Sequence, residues 1–107
     1  MRLLLDKSIP VRFRRSLPSH DVQTVLEMGW SGVKNGKLLA LAADGFDAFV
    51  TVDKNLPYQQ NMTTLPVAAI VLNAVSNELP TLLPLLPALE RALLSLKPRT
   101  YSLVARA

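Results

Sequence analysis

Two apolar runs that each end on an aspartate constrain this 107-residue chain more than any other feature. Leu3-Leu4-Leu5 is a short continuous apolar run that stops at Asp6, the pattern of a strand buried on both faces whose carboxyl end opens into a loop. Asp47-Ala48-Phe49-Val50-Thr51-Val52 repeats that pattern and delivers Asp53 at its own carboxyl end. Strands covered on both faces belong to parallel sheets, whose crossover connections lay helices over them.

The remainder of the chain supplies such connections. Pro10 opens a helix through Leu17, with Phe13 and Leu17 on one face and Arg12, Arg14 and Arg15 spread over the rest, and Pro18 stops it. Asp21 to Val25 alternates and is β-branched, which predicts a second strand, followed by a turn-rich Gly29-Trp30-Ser31-Gly32. Asn35 is placed to cap a helix over Gly36 to Ala43, with Leu38, Leu39, Leu41 and Ala42 as its buried stripe. Tyr58-Gln59-Gln60-Asn61 reads as a polar loop, Val67 to Leu72 as a fourth strand and Thr100 to Val104 as a last one. Leucine spacing makes Leu79 to Leu96 helical, and Pro84 and Pro87 divide it into a short first piece and a longer second one. The expectation is a single three-layer α/β domain over residues 1–107, with a mostly parallel sheet of four to five strands and helices on both faces.

Composition removes several functions. There is no cysteine and only one histidine, so thiol nucleophiles, disulfides, zinc knuckles and iron–sulfur sites are excluded, and any metal must be held by oxygen. The three-residue apolar run before Asp6 is far short of a signal-peptide core, and Leu79 to Leu96 is interrupted by proline, Glu90 and Arg91, so neither a secreted nor a membrane-spanning chain is expected. A cytoplasmic protein is the reading. The formal net charge of +4 favours a polyanion or an acidic partner.

Open parallel sheets bind ligands beyond the carboxyl ends of their strands, near the point where strand order reverses. Asp6 and Asp53 both end strands there. Two neighbouring carboxylates suit a hard cation such as Mg²⁺, which keeps several waters and needs one or two protein carboxylates besides substrate phosphates. Such a pair would be the catalytic and metal-holding centre of a phosphodiester hydrolase. The plainer alternative makes each aspartate a helix cap or turn former.

The stretches Leu3-Leu4-Leu5-Asp6 with Ile9-Pro10, His20-Asp21-Val22, Glu27-Met28-Gly29-Trp30-Ser31-Gly32, Leu38-Leu39-Ala40-Leu41-Ala42 and Val50-Thr51-Val52-Asp53 resemble, in order and spacing, the PIN-like family of small bacterial proteins, toxin components of toxin–antitoxin pairs similar to VapC-type ribonucleases. The resemblance implies metal-dependent cleavage of RNA, with acids at strand ends holding Mg²⁺ or Mn²⁺, and an antitoxin protein as partner. It also marks departures. Where the family usually has Asp-Glu this chain has Asp6-Lys7, where it often has an acid opening the second helix this chain has Asn35, and its Asp-x-Asp becomes Asp53-Lys54-Asn55. The oxygens of Asn35 and Asn55 would then complete the metal set with Asp6 and Asp53.

Other residues extend the site. Arg12 and Arg15, with Arg14, suit RNA phosphates, or else form the solvated face of their helix or an antitoxin contact. Lys7 and Lys54 each follow a candidate acid and would bring positive charge to a scissile phosphate. Thr51 shares a side of its strand with Asp53, so its hydroxyl is placed to orient a water or a carboxylate. His20 is expected at the far end of the sheet and Trp30 against the sheet's edge. The leucines of Leu79 to Leu96 offer more apolar surface than one small sheet covers, which predicts a homodimer.

Two alternatives stand beside the ribonuclease. A degenerate PIN-like domain would bind a protein partner or RNA without cleaving it, which Lys7, Asn35 and Asn55 all suit. A phosphoacceptor receiver domain also carries acids after its first and third strands, with Lys97-Pro98 resembling its late lysine. It requires paired acids after the first strand and a hydroxyl residue after the fourth, where this chain has Lys7 and Asn73.

Overall fold

The computed structural model describes residues 1–106. Five strands, β1 (Arg2–Leu5), β2 (Asp21–Thr24), β3 (Ala48–Thr51), β4 (Ala68–Leu72) and β5 (Tyr101–Val104), form one sheet in the order β2-β1-β3-β4-β5, and every pairing is parallel. Four α-helices, α1 (Asn35–Ala42), α2 (Leu56–Gln59), α3 (Leu79–Leu82) and α4 (Leu86–Leu94), and two 3₁₀ segments, Val11–Ser16 and Leu83–Leu85, make the connections. The expected three-layer α/β architecture is the one observed, with its sheet wholly rather than mostly parallel.

Strand alternation divides the core in two. Leu3, Leu5, Ala48, Val50, Ala68, Ile70 and Leu72 face Phe13 and Leu17 on one side and Leu82, Leu85, Leu89 and Leu93 of the proline-divided helix. Leu4, Phe49, Ala69 and Val71 face Leu38, Leu39 and Ala42 of α1 and Leu56 of α2 on the other. Continuous apolar strands were therefore the correct sign of a sheet buried on both faces. Trp30 packs on the second face, edge-on to Phe46 at 6.4 Å between ring centroids.

Some local expectations change. The segment after Pro10 winds as a 3₁₀ helix rather than an α-helix, although it buries Phe13 and Leu17 as its spacing demanded. Asn35 does not cap α1: the cap position is Lys34, which makes no side-chain capping bond, and Asn35 is the first helical residue. The polar loop begins as helix, since Pro57 occupies the first turn of α2, where its missing N–H is harmless. Leu79 to Leu94 divides where proline removes the amide donor, into α3, a 3₁₀ turn and α4.

Polar ties fix the connections. Thr24 and Glu27 bond reciprocally, Glu27 Oε1 accepting from the Thr24 amide at 2.9 Å and Thr24 Oγ1 from the Glu27 amide at 3.1 Å. Arg14 donates to the same Glu27 oxygen at 2.6 Å, and this guanidinium, with the Thr24 amide, holds the Glu27 carboxyl below its ordinary value. His20 Nε2 lies 2.6 Å from Glu90 Oε1 and ties the start of β2 to α4. No helix among the described residues is long and apolar enough to cross a membrane.

Candidate active site

The chain starts at β1, extends outward to β2, then crosses back to place β3 on the other side of β1. Strand order therefore reverses between β1 and β3, and a crevice must open where their carboxyl ends diverge. Leu5 is in register with Val50, so Asp6 leaves β1 level with Thr51 and Asp53 follows two residues later. By alternation Asp6, Thr51 and Asp53 follow Leu4 and Phe49 toward the α1 side of the sheet.

Asp6 and Asp53 line one cleft of about 700 Å³ there, together with Lys7, the Ser31–Leu38 segment that enters α1, and Gln59 and Gln60 at the end of α2. Of the four oxygen donors expected at a metal, Asp6, Asp53 and Asn35 reach this cleft, whereas Asn55 does not line it. Asn55 instead donates its amide to Asp53 Oδ1 at 2.9 Å and fixes that carboxylate. Of the basic residues assigned to RNA, Lys7 lines the cleft, and Lys54, Arg12 and Arg15 are exposed outside its lining. Arg14 is taken up by Glu27 and the Val22 carbonyl.

Asp6 is only 9% exposed, and its Oδ2 accepts hydrogen bonds from Ser8 Oγ and Thr51 Oγ1, each at 2.8 Å. Thr51, 1% exposed, also accepts the Asp53 amide on Oγ1 at 3.1 Å. One hydroxyl thus links the two strand ends, as its position on the strand led us to expect. The chain of bonds orients Asp6 through Oδ2 and leaves Oδ1 without a hydrogen-bond donor among the described residues. Asp53 Oδ2 is likewise without a donor among the described residues.

One oxygen of each carboxylate is thus left without a hydrogen-bond donor among the described residues. No group of three or more acidic, histidine or cysteine side chains among the described residues is arranged to hold a metal. Two carboxylates lining one cleft match in kind the donors of a hard divalent ion that leaves its remaining positions to water and substrate phosphate, and they are too few for a protein-caged ion.

The sequence reading missed three residues. Ser8 was legible only as a hydroxyl two residues past Asp6, and Lys34 and Lys37 only as charges flanking the start of a helix. Lys97-Pro98, weighed as a receiver's late lysine, precedes β5, and Pro98 and Arg99 line a separate cleft with Met1, Asp47 and Pro66 at the amino ends of the strands. The receiver analogy loses its lysine on that ground. Comparison with family models, with curated proteins and with solved structures gives no significant match.

Proposed function

We propose that the chain is a PIN-like, metal-dependent ribonuclease, the toxin component of a toxin–antitoxin pair, acting through Asp6 and Asp53 in the cytoplasm. The observation that carries this reading is the hydroxyl-linked pair of strand-end aspartates at the β1/β3 switch point, each keeping one carboxylate oxygen free. A carboxylate held by two hydroxyls inside a nearly buried site is oriented before substrate arrives, so little reorganisation is left for the reaction.

Asp6 and Asp53 would hold one Mg²⁺ or Mn²⁺, with Asn35 as the further oxygen donor within the cleft. When bound, such an ion supplies a hydroxide near neutral pH and charge stabilisation at the phosphate. The protein's own part is to fix the two carboxylates. Ser8 and Thr51 hold Asp6, and the Asn55 amide holds Asp53. In the net reaction water adds to phosphorus, one P–O ester bond breaks, and the departing oxygen takes up a proton.

An antitoxin protein that covers the cleft fits this reading, and so does a homodimer. The exposure of Leu94 and Leu83 on the proline-divided helix supports the latter. A second reading, a PIN-like domain that binds RNA or a partner without cleaving it, is favoured by the cleft lining, which among the described residues has no acid besides Asp6 and Asp53. The two separate on incubation of a mixed structured and single-stranded RNA pool with Mg²⁺, Mn²⁺ or chelator. Metal-dependent fragments support the ribonuclease, and intact RNA with folded protein supports the binding domain.

A further inference from the structure

The charged side chains lining the cleft are Asp6, Asp53, Lys7, Lys34 and Lys37, so cations exceed anions by one. None of the three lysines lies within 4 Å of a carboxylate oxygen among the described residues; the ion pairs found there use Arg2, Arg14 and His20. Lys34 and Lys37 stand on the α1 wall and are exposed, and the first turn of that helix carries no acid to neutralise them. A site built solely to hold a cation would not gather three unpaired ammonium groups around two carboxylates, because each opposes the charge of the ion. An anionic ligand resolves the imbalance. The polar groups of Ser31, Gln59 and Gln60 around the same cleft add neutral hydrogen-bonding capacity without adding negative charge.

We propose that Lys34 and Lys37 form a phosphate-binding wall, so that the cleft takes a single-stranded polynucleotide through a backbone phosphate flanking the one presented to Asp6 and Asp53. The inference rests on the ribonuclease reading only in taking RNA as the ligand, and it requires neither metal nor cleavage. Lysine acts at such a site as a mobile point charge, which suits a flexible backbone better than a fixed anion geometry. A strand whose phosphate is held on the α1 wall brings its own negative charge beside the aspartates, which accounts for a carboxylate set too small to cage a metal alone.

The test is fluorescence anisotropy of a 5′-fluorescein-labelled decauridylate in EDTA, titrated with wild type, with Lys34→Gln/Lys37→Gln, and with a charge-matched Arg91→Gln/Lys97→Gln control. Circular dichroism checks the fold of each. The wall predicts that the lysine variant binds about tenfold more weakly at low salt, and that the slope of log affinity against log salt falls by about 0.7, the figure for one neutralised phosphate of a single strand. The control keeps the wild-type slope. Equal loss in both variants, an unchanged slope in the lysine variant, or no binding by wild type overturns the wall. The RNA-fragment assay is read separately, so fragments produced alongside an unaltered slope leave the ribonuclease standing and remove only this inference.

Discussion

Replacing Thr51 by valine isolates the hydroxyl that links the two strand ends. The side chains have nearly the same shape, and at 1% exposure no water is on hand to substitute for the lost donor. A hydrogen bond to a charged group contributes about 1.5–3 kcal/mol. The valine methyl offsets about 0.8 kcal/mol through added apolar burial. Asp6 keeps its bond from Ser8, while the Asp53 amide loses its acceptor on Thr51. The net expectation is a loss of about 1–2 kcal/mol, a fall in Tm of roughly 5–15 °C for a domain this size. Urea unfolding followed by circular dichroism should show a lower midpoint with an unchanged slope. In an Asp6→Asn background the same change should cost about 1 kcal/mol less, since the two residues are in direct contact. Thr51→Ser, which keeps the donor, should recover the coupling to Asp6. A Thr51→Val protein within about 0.3 kcal/mol of wild type, with no coupling to Asp6, would refute the reasoning.

Burial, assisted by the neighbouring Tyr58, pushes the Tyr101 phenol above its ordinary value of 10.0. A Tyr58→Phe protein retains one tyrosine, and its ultraviolet difference titration should have a midpoint above that value. The folded state then holds its proton after the unfolded state has released it, so the associated stability is complete below pH 10 and is lost as pH rises from there through the folded value. A midpoint at or below 10 removes that effect. Leu89 and Leu94 lie on the same helix but are 0% and 88% exposed. Leu89→Ala should cost about 2–5 kcal/mol in urea unfolding and Leu94→Ala no more than about 0.5 kcal/mol. Similar costs for both would mean that α4 packs by another face.

The features legible in the sequence were those with a period or a hard steric rule behind them. Leu3–Leu5 and Ala48–Thr51 read as strands because burial on both faces leaves no polar alternation, and the proline positions divided Leu79–Leu94 where amide donors are missing. Asp6 and Asp53 were found for the same reason, as the first charges after such runs. Thr51 followed from period two. Contacts closed by tertiary geometry were not legible: Arg14 reaching Glu27, and Lys34 and Lys37 lining the cleft, each depend on where separate elements meet, while the local bond from Ser8 back to Asp6 depends on how the loop after β1 turns. Asn35 illustrates the limit of local rules. It is a favoured capping type, yet α1 begins one residue earlier and turns Asn35 into its first residue, beside the aspartates.

In the proposed function both strand-end aspartates are needed to break an RNA phosphodiester. The most direct measurement is the single-turnover cleavage rate of one end-labelled single-stranded RNA by wild type, Asp6→Asn and Asp53→Asn, each purified identically and assayed with Mn²⁺ and with chelator. The expected result is metal-dependent cleavage by wild type and a loss of at least about a hundredfold in each variant, with all three proteins folded. Cleavage that persists in either variant, or folded wild type that leaves the RNA intact with metal present, contradicts it.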